Sequence, residues 1–231
     1  MSEQGHIDII PAGENALMVY FADHFSPEVA DRVQRAVTVL EPALGETLLD
    51  LVPSFASLLV IYDLYRIDFD TLAAQIDNLL DTSREVGSGA SKLVELPVFY
   101  SAEAGPDLEA LARGARLSTD EVVALHQARE YRVYAIGFAP GFAYLGEVDE
   151  RIAAPRLATP RARVRRGSVG IAGRQTAVYP ADSPGGWNLI GLCPLRMFSL
   201  HADPPMPVQV GDRVRFRAID RDDFLAMGGE L

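Results

Sequence analysis

The chain has 231 residues, of which 48% are hydrophobic and 23% are charged, and its formal net charge at pH 7 is −11. This length is enough for one large or two small domains with a buried core, and the composition is ordinary for a soluble globular protein. A sequence pI of about 4.8 argues against nucleic acid as a partner. No apolar run approaches the roughly 20 residues that span a bilayer, so no membrane partner is expected.

A single cysteine, Cys193, excludes an internal disulfide and any metal site built from several cysteines. Its apolar neighbours favour a buried, inert thiol over a nucleophile. The first ten residues lack the basic segment and apolar run that are typical of an export signal. These observations predict a cytoplasmic protein without a metal site.

The first 85 residues or so predict two pairs of strands, each followed by a helix. Apolar runs at 7–10 and 16–21 flank the turn-prone PAGEN, which indicates a hairpin. Ser26 supplies a helix cap and Pro27 a first helical position, so a helix is predicted to about Leu40. That helix is predicted to end at Pro42 and Gly45, and strands at 47–52 and 57–62 and a helix at 69–82 follow. This order predicts a compact α+β unit of ferredoxin-like size.

Residues 86–91, VGSGAS, are small and polar, and a domain boundary is predicted there, which gives domains at 1–88 and 89–231. The second domain opens with a strand at 93–100 and a short helix in GPDLEALARGA. Ser118 and Glu121 have the spacing of a capping box, which predicts a helix over about 119–129. From Tyr131 onward the pattern predicts strands and turns, with 208–219 as a closing hairpin or long edge strand and AMGGEL (226–231) disordered.

The most unusual stretch is 134–194, where glycines and prolines alternate with buried-type aromatic residues. This pattern favours short strands and tight turns whose backbone lies close to something that it binds. Six arginines and no acid lie between Arg156 and Arg174, although residues 1–130 carry a balance of −14 and residues 131–231 one of +3. Such a patch suits a small anion or an acidic partner surface.

Two of these arginines, Arg156 and Arg161, directly follow a proline. A stiff backbone lowers the entropy cost of holding a guanidinium, and its fork of donors fits a carboxylate or phosphate. The other three in RARVRR, Arg163, Arg165 and Arg166, are interpreted as a solvated outer face.

Four further side chains each leave two interpretations open. Gln175 and Ser183 could orient a ligand amide or carboxylate, or could stabilise turns. Trp187 could be a pocket wall or a core residue, and His126 could contact the site or be structural. The sequence contains no phosphate-binding loop GxxxxGK[ST], GxGxxG, GxSxG or HExxH. No nucleophile or general base is evident, so catalytic residues stay unassigned.

Four motifs in the second half carry a family resemblance: GFAPGFAYLG (137–146), PR…PR (155–161), GSVGIAG.QT (167–176) and YP..SPGGW.LIG (179–191). Together they resemble the family of 5-oxoprolinase B subunits, which includes the allophanate hydrolase subunit 1 type and the sporulation-kinase inhibitor of bacilli. The same module occurs in the carboxyltransferase domain of urea carboxylase. VPSFASLLVIYD (52–63) and the ELPV strand extend the resemblance to nearly the whole chain.

The resemblance implies an α+β protein with a small ferredoxin-like N-terminal domain followed by a cyclophilin-like β-barrel domain. It implies one component of an ATP-dependent 5-oxoprolinase, which opens the lactam of 5-oxo-L-proline to L-glutamate while ATP is hydrolysed. The resemblance implies that ATP binds together with Mg²⁺ and that its binding site is shared with the other subunits of the complex. The implied partners in an obligate hetero-oligomer are the C-type subunit and the A-type lactam-utilisation protein, and the isolated chain is expected to be inactive. The alternatives are a histidine-kinase inhibitor and a component of the allophanate hydrolase or urea carboxylase type.

We expect the GFAPGF turn, the two Pro-Arg pairs and the SPGGW loop to converge on one concave face of the barrel and to bind the small-molecule substrate. The predicted substrate-binding residues are Arg156, Arg161, Gln175, His126, Pro140, Gly141, Phe142, Ser183, Gly185, Gly186 and Trp187.

Overall fold

The computed structural model describes residues 7–82 and 91–231, and the chain falls into two compact units, Met1–Ala90 and Ser91–Leu231. Apart from Ser91, the predicted linker at 86–91 lies outside the described residues. Each unit is a mixture of helices and strands and is described by itself.

The first unit is a four-stranded antiparallel sheet with the strand order β1-β2-β4-β3. Its elements are β1 (Asp8–Pro11), β2 (Ala16–Tyr20), α1 (Pro27–Leu44), β3 (Leu48–Ser54), β4 (Ser57–Tyr62) and α2 (Phe69–Thr82). The hairpin, both later strands and both helices are confirmed. Alternate residues of β2 and β4, Leu17, Val19, Leu58 and Val60, are fully buried, as the period of two along a strand requires.

The predicted end of α1 at Pro42 is wrong, because the helix continues through this proline to Leu44. A proline near a helix end forfeits one backbone hydrogen bond. Leu40 and Leu44 lie one helical turn apart and are both buried, so the packing of the last turn outweighs that loss. Gly45, with φ of 51°, then ends the helix.

The second unit is built on a seven-stranded sheet with the order β12-β9-β10-β7-β6-β13-β5, and β8 and β11 form a separate two-stranded ribbon. Its elements are β5 (Leu93–Val98), α3 (Leu108–Ala115), α4 (Thr119–Gln127), β6 (Tyr131–Ile136), β7 (Ala143–Gly146), β8 (Arg161–Val164), β9 (Ser168–Ala172), β10 (Gln175–Val178), β11 (Ser183–Gly185), β12 (Asn188–Leu192), β13 (Arg213–Ala218) and α5 (Arg221–Ala226). Phe99, just after β5, and Leu192 in β12 exchange two backbone hydrogen bonds of 2.8 and 3.0 Å. The two edges therefore meet, and the sheet is a nearly closed β-barrel.

Two predictions for the C-terminal part of this unit are wrong. The segment 208–219 is neither a hairpin nor an edge, because β13 lies inside the sheet, parallel to β5 and antiparallel to β6. The sequence after β13 also contains a helix: the side chain of Asp220 accepts from the Asp223 N–H and caps α5. The tail is ordered, because the Gly229 N–H donates to the Phe224 carbonyl and Leu231 packs beside Phe224.

Within the described ranges, no helix is long and apolar enough to cross a membrane.

Gly105 tests how tightly the segment before α3 lies against the barrel. A Cβ at this position would lie 2.1 Å from the Ile190 carbonyl carbon in β12, so that part of the backbone would have to move. We expect Gly105→Ala to lower the free energy of unfolding by about 2 kcal/mol. Gly114 in α3 meets nothing within 4 Å, so Gly114→Ala should raise it by about 0.5–1 kcal/mol. Urea denaturation of both variants measures the difference, and equal effects would contradict this packing.

Candidate functional site

Apart from His126, the predicted site residues lie in segments that gather on the outer face of the barrel sheet. A buried cluster there, the outer aromatic cluster, is separate from the main core. It contains Phe142, Val164, Ala172, Ala177, Tyr179, Trp187 and Leu189. Along β10, Val178 belongs to the main core and Ala177 to the outer aromatic cluster. Because consecutive residues of a strand point to opposite faces, the two clusters lie on opposite sides of the sheet.

Phe142 joins the GFAPGF turn to the SPGGW loop. Its ring centroid lies 4.9 Å from that of Tyr144, 5.3 Å from that of Tyr179 and 5.5 Å from that of Trp187. All three contacts are edge-on, the geometry that aromatic quadrupoles favour. Phe142 and Trp187 are only 2% and 4% exposed, so Trp187 is a core residue of this cluster.

The Pro-Arg segment lies against the SPGGW loop. The Leu157 N–H donates to the Gly186 carbonyl at 2.7 Å, and Asn188 Nδ2 donates to the Pro155 carbonyl at 2.8 Å. A Cβ on Gly186 would lie 3.6 Å from the Pro160 ring. The structure thus brings the turn, the Pro-Arg pairs and the loop together.

Asp107 engages one half of the Arg161 guanidinium. Its Nη2 donates to Asp107 Oδ1 at 2.7 Å, and Asp107 Oδ2 accepts from the Leu189 N–H at 2.7 Å. Arg161 Nη1 is buried and makes no hydrogen bond within the part of the chain that the structure describes. An unsatisfied buried donor costs about 1–3 kcal/mol, and such groups often have a catalytic role or bind a water molecule or an ion. Asp107 therefore holds the guanidinium in place.

The second unsatisfied group belongs to Ser183, whose Oγ is also buried without a partner in the described structure. In the β8–β11 ribbon, Ser183 pairs with Val164 and Gly185 pairs with Arg161, with an irregular register between the pairs. Directly paired residues share one face of a sheet. Val164 belongs to the outer aromatic cluster, so Ser183 lies on the ribbon face that covers that cluster. Arg161 and Ser183 are the two polar groups that this ribbon brings to the aromatic surface.

Arg156 and Gln175 lie at the border of the same surface. Arg156 is exposed, and its charge acts on Tyr179. Burial raises the pKa of the Tyr179 hydroxyl, while a hydrogen bond from the Trp187 backbone and the charges of Arg156 and Arg161 oppose that shift. Gln175 precedes the core residue Thr176 in β10, so its side chain points to the outer face.

His126 is not brought to this surface, because it lies fully buried on the opposite side of the sheet. Its ring stacks on Phe216 with 4.4 Å between the centroids. Its Nε2 lies 2.9 Å from Thr176 Oγ1, its Nδ1 lies 2.7 Å from the Tyr100 hydroxyl, and Thr176 Oγ1 donates to the Gly170 carbonyl. Burial lowers the pKa of His126 to about 3. The histidine is therefore a neutral member of the core.

Gly141 fixes the GFAPGF turn, in which Pro140 directly precedes it. Its φ of 85° is in the left-handed region that favours glycine, and a Cβ there would lie 2.5 Å from the Met197 carbonyl oxygen. The Phe142 N–H donates to the Ala139 carbonyl at 2.9 Å and closes the turn. The turn is thus packed closely between the outer aromatic cluster and the Met197 backbone.

Sequence reasoning misses two residues of this surface. The sequence places Asp107 only near the start of α3, yet its side chain makes no capping hydrogen bond and instead anchors Arg161. Phe138 has φ of 70° and is 66% exposed, with its ring 5.3 Å from the Phe142 ring. A bulky residue in the left-handed region is strained, and such strain tends to occur at functional sites. The sequence carries no signal for this backbone angle.

Paired substitutions separate the strain at Phe138 from the role of its ring. Phe138→Ala and Phe138→Gly both remove the ring, but only glycine adopts a positive φ without strain. We expect Phe138→Gly to be more stable than Phe138→Ala by about 1 kcal/mol in urea denaturation. If the ring contacts substrate, both variants lower activity to the same extent. An alanine variant as stable as the glycine variant would contradict the strain.

Within the described ranges, no group of three or more His, Cys, Asp and Glu side chains could hold a metal ion.

Comparison with known proteins shows which family has this sequence and fold. Residues 7–208 match the family described as carboxyltransferase domain, subdomain C and D. The B subunit of 5-oxoprolinase from Bacillus subtilis is 39% identical over 224 residues, which cover 93% of each chain. The protein of the same name from Haemophilus influenzae is 34% identical and covers 91% of this chain and 97% of its own. The kinase-inhibitor, allophanate hydrolase and urea carboxylase alternatives are not favoured by these relatives.

Several solved structures are similar to this chain in fold. A crystal structure of TTHA0988 has a TM-score of 0.79 and 36% identity over 89% of this chain, which spans 40% of that longer chain. A conserved uncharacterized protein, PH0987 from Pyrococcus horikoshii, is 45% identical with a TM-score of 0.56, and the match covers 94% of this chain and all of that one. The urea carboxylase of Kluyveromyces lactis has a TM-score of 0.73 at 16% identity over 22% of its length, a likeness of fold alone.

Proposed function

This chain belongs to the carboxyltransferase domain, subdomain C and D, family, and from that premise we propose that it is the B subunit of an ATP-dependent 5-oxoprolinase. The observation that carries the proposal is the match, over nearly the full length of both chains, to proteins named as B subunits of 5-oxoprolinase. In this proposal the complex hydrolyses 5-oxo-L-proline to L-glutamate. The chain acts with C-type and A-type partners in the cytoplasm.

The outer surface offers the binding groups that 5-oxoproline needs. This substrate is a small anion with one carboxylate and one lactam carbonyl. We propose that Arg161 Nη1 donates to the carboxylate, because a half-engaged guanidinium anchored on Asp107 is a fixed, charge-assisted donor. Ser183 Oγ supplies a second donor, and the outer aromatic cluster excludes water from one side.

The described residues of this surface support binding rather than proton transfer. Burial raises the pKa of Tyr179 above its ordinary value, so this hydroxyl does not ionise near neutral pH. Away from this surface, burial also raises the pKa of the Cys193 thiol in the main core to about 12. His126 stays neutral inside the core. We therefore propose that the chain positions substrate and that the reacting groups come from its partners, which makes the isolated chain inactive.

In this proposal ATP would transfer its γ-phosphoryl group to the lactam oxygen and leave as ADP, which would make the carbonyl carbon electrophilic. Two water molecules would then complete the hydrolysis of the C–N and phosphate ester bonds, which gives glutamate and inorganic phosphate. Opening an unstrained lactam is otherwise difficult, so coupling to ATP fits the chemistry. We assign the nucleotide and its Mg²⁺ to the assembled complex.

Two finer statements about fold belong to the same proposal. The strand order of the first unit, with helices after the second and fourth strands, supports a ferredoxin-like domain. The nearly closed barrel of the second unit supports a cyclophilin-like domain.

Reconstitution tests the proposed function. The chain is purified alone, with its C-type partner, and with both the C-type and A-type partners, and glutamate formed from 5-oxoproline is measured with and without ATP. We expect activity only from the complete set and only with ATP. Full activity from the isolated chain, or none from the complete set, would overturn the proposal.

A further inference from the structure

Three arginines that the sequence suggested to be a solvated face line a cavity of about 160 Å³. They are Arg163, Arg165 and Arg166, at the end of β8 and in the turn that follows it. The volume is about five times the share of one water molecule in the liquid, so a small anion fits. Arg161 is not among the residues that line this cavity, so the cavity is distinct from the Arg161 surface.

One carboxylate organises the cavity. Asp182 Oδ2 accepts from Arg163 Nε at 2.8 Å and lies 2.6 Å from its Nη2, and Asp182 Oδ1 accepts from the Arg166 N–H at 2.8 Å. The same acid therefore fixes one guanidinium and the backbone of the turn that carries the other two. These hydrogen bonds hold the pKa of Asp182 below its ordinary value, so its carboxylate stays charged near neutral pH.

Two guanidinium groups of the cavity, those of Arg165 and Arg166, are not in contact with Asp182, although the charge of Arg165 contributes to lowering the pKa of this carboxyl group. Within the described ranges, neither Arg165 nor Arg166 forms an ion pair, and the one hydrogen bond of the Arg165 guanidinium is a long contact of 3.4 Å to the Glu230 backbone carbonyl. The lining holds three arginines and two acids, Asp182 and Glu230. A local excess of positive charge in a chain of net charge −11 points to an anionic ligand.

The remaining walls do not repel an anion. Cys193 contributes a thiol rather than a thiolate, since burial raises its pKa to about 12. Phe224 supplies an apolar wall that lowers the local dielectric and strengthens charge interactions.

We propose that this cavity is a binding site for a phosphate group. Several guanidinium forks converging on one small volume fit a tetrahedral dianion, whereas a single carboxylate is satisfied by one fork. The phosphate could be free inorganic phosphate or could be carried by a nucleotide, and both share the chemistry that the arginines recognise. This inference does not rest on the proposed 5-oxoprolinase activity, because it concerns binding by this chain alone.

Direct titration of the full-length chain tests the site. Inorganic phosphate is titrated by calorimetry, and ATP is titrated separately and in competition with phosphate. The test variant is Arg165→Ala with Arg166→Ala. The matched control is Arg113→Ala with Arg174→Ala, which removes the same charge from exposed residues that pair with surface acids. A third variant, Arg161→Lys, reports on the other arginine site.

We expect wild type, the control and Arg161→Lys to bind phosphate equally, and the test variant to bind at least about tenfold more weakly. If ATP displaces phosphate and shows the same loss, the site takes a nucleotide-borne phosphate. If ATP does not compete, the site takes free phosphate. The proposal is overturned if wild type binds neither ligand at millimolar concentrations. It is also overturned if test and control variants behave alike, or if Arg161→Lys alone loses binding.

Discussion

Arg161→Lys should lower kcat/KM of the reconstituted complex for 5-oxoproline by about a hundredfold, equivalent to about 2.7 kcal/mol. Lysine keeps the positive charge and can still pair with Asp107, but it cannot present a second donor in the position of the buried Nη1. Steady-state kinetics over a range of substrate concentrations give the change, and we expect most of it in KM if the contact is made to the ground-state carboxylate.

Lysine is more informative here than alanine. Asp107 is 12% exposed and Arg161 30%, so truncation would leave a largely buried carboxylate without its counter-charge and would destabilise the fold. The matched control is Arg174→Lys, in a half-exposed arginine whose ion pairs with Glu147 and Glu150 are worth well under about 1 kcal/mol each. Wild-type activity for both variants would show that the free half of the Arg161 fork does not contact substrate.

Asp107 can be tested as a positioning residue in the same assay. Asp107→Asn keeps an oxygen that accepts from the Leu189 N–H and removes the charge that anchors Arg161. A mobile guanidinium then has to be ordered by substrate, so KM should rise while kcat changes little. A drop in stability with unchanged KM would instead indicate a purely structural role.

The sequence predicts those elements whose signals are local. Helix α2 has the predicted bounds because its apolar spacing is regular. Helix α4 begins at Thr119, as predicted, because both halves of the capping box, Ser118 and Glu121, lie within four residues. The predicted end of α1 is wrong because the burial of Leu44 is a tertiary effect. The position of β13 between β5 and β6 depends on pairings more than 80 residues apart, for which a single sequence has no signal.

In the candidate site, too, local features are predicted by the sequence and long-range contacts are not. Residue types in the Pro-Arg and SPGGW motifs predict an arginine-bearing surface, and the structure brings those segments together. The pairing of Arg161 with Asp107 joins residues 54 positions apart, and no local pattern predicts it. His126 is buried where α4 packs on the barrel, and whether a helix histidine lies inside or outside depends on what packs against the helix.

The buried His126 makes a further prediction, which concerns stability against pH. Its Nε2–H donates to Thr176 Oγ1, because that hydroxyl gives its own proton to the Gly170 carbonyl, and its Nδ1 accepts from the Tyr100 hydroxyl. Every hydrogen-bonding position of the neutral ring is used, and a second proton on Nδ1 would meet the Tyr100 oxygen in a fully buried site. Burial accordingly lowers the pKa to about 3 in the folded protein.

A histidine whose pKa falls from about 6.5 unfolded to about 3 folded makes the native state bind fewer protons than the unfolded state. Its contribution to stability is therefore complete above pH 6.5 and is lost as the pH falls toward 3, at about 1.4 kcal/mol per pH unit and about 5 kcal/mol in all. His126→Gln should remove this dependence, since an amide can donate to Thr176 and accept from Tyr100 without titrating. The exposed His24 is the control, and His24→Gln should keep the same dependence of stability on pH as wild type.

Urea denaturation at pH 7 and pH 5 measures the effect, with each variant compared with wild type so that the titration of carboxylates cancels. Wild type and His24→Gln should lose roughly 2 kcal/mol more than His126→Gln between these two pH values. At pH 7 His126→Gln should be less stable than wild type, because the stacking on Phe216 is lost. The two stability curves should therefore converge as the pH falls. Parallel curves would mean that His126 binds a proton in the folded protein as readily as in the unfolded chain, and the buried neutral network would then be wrong.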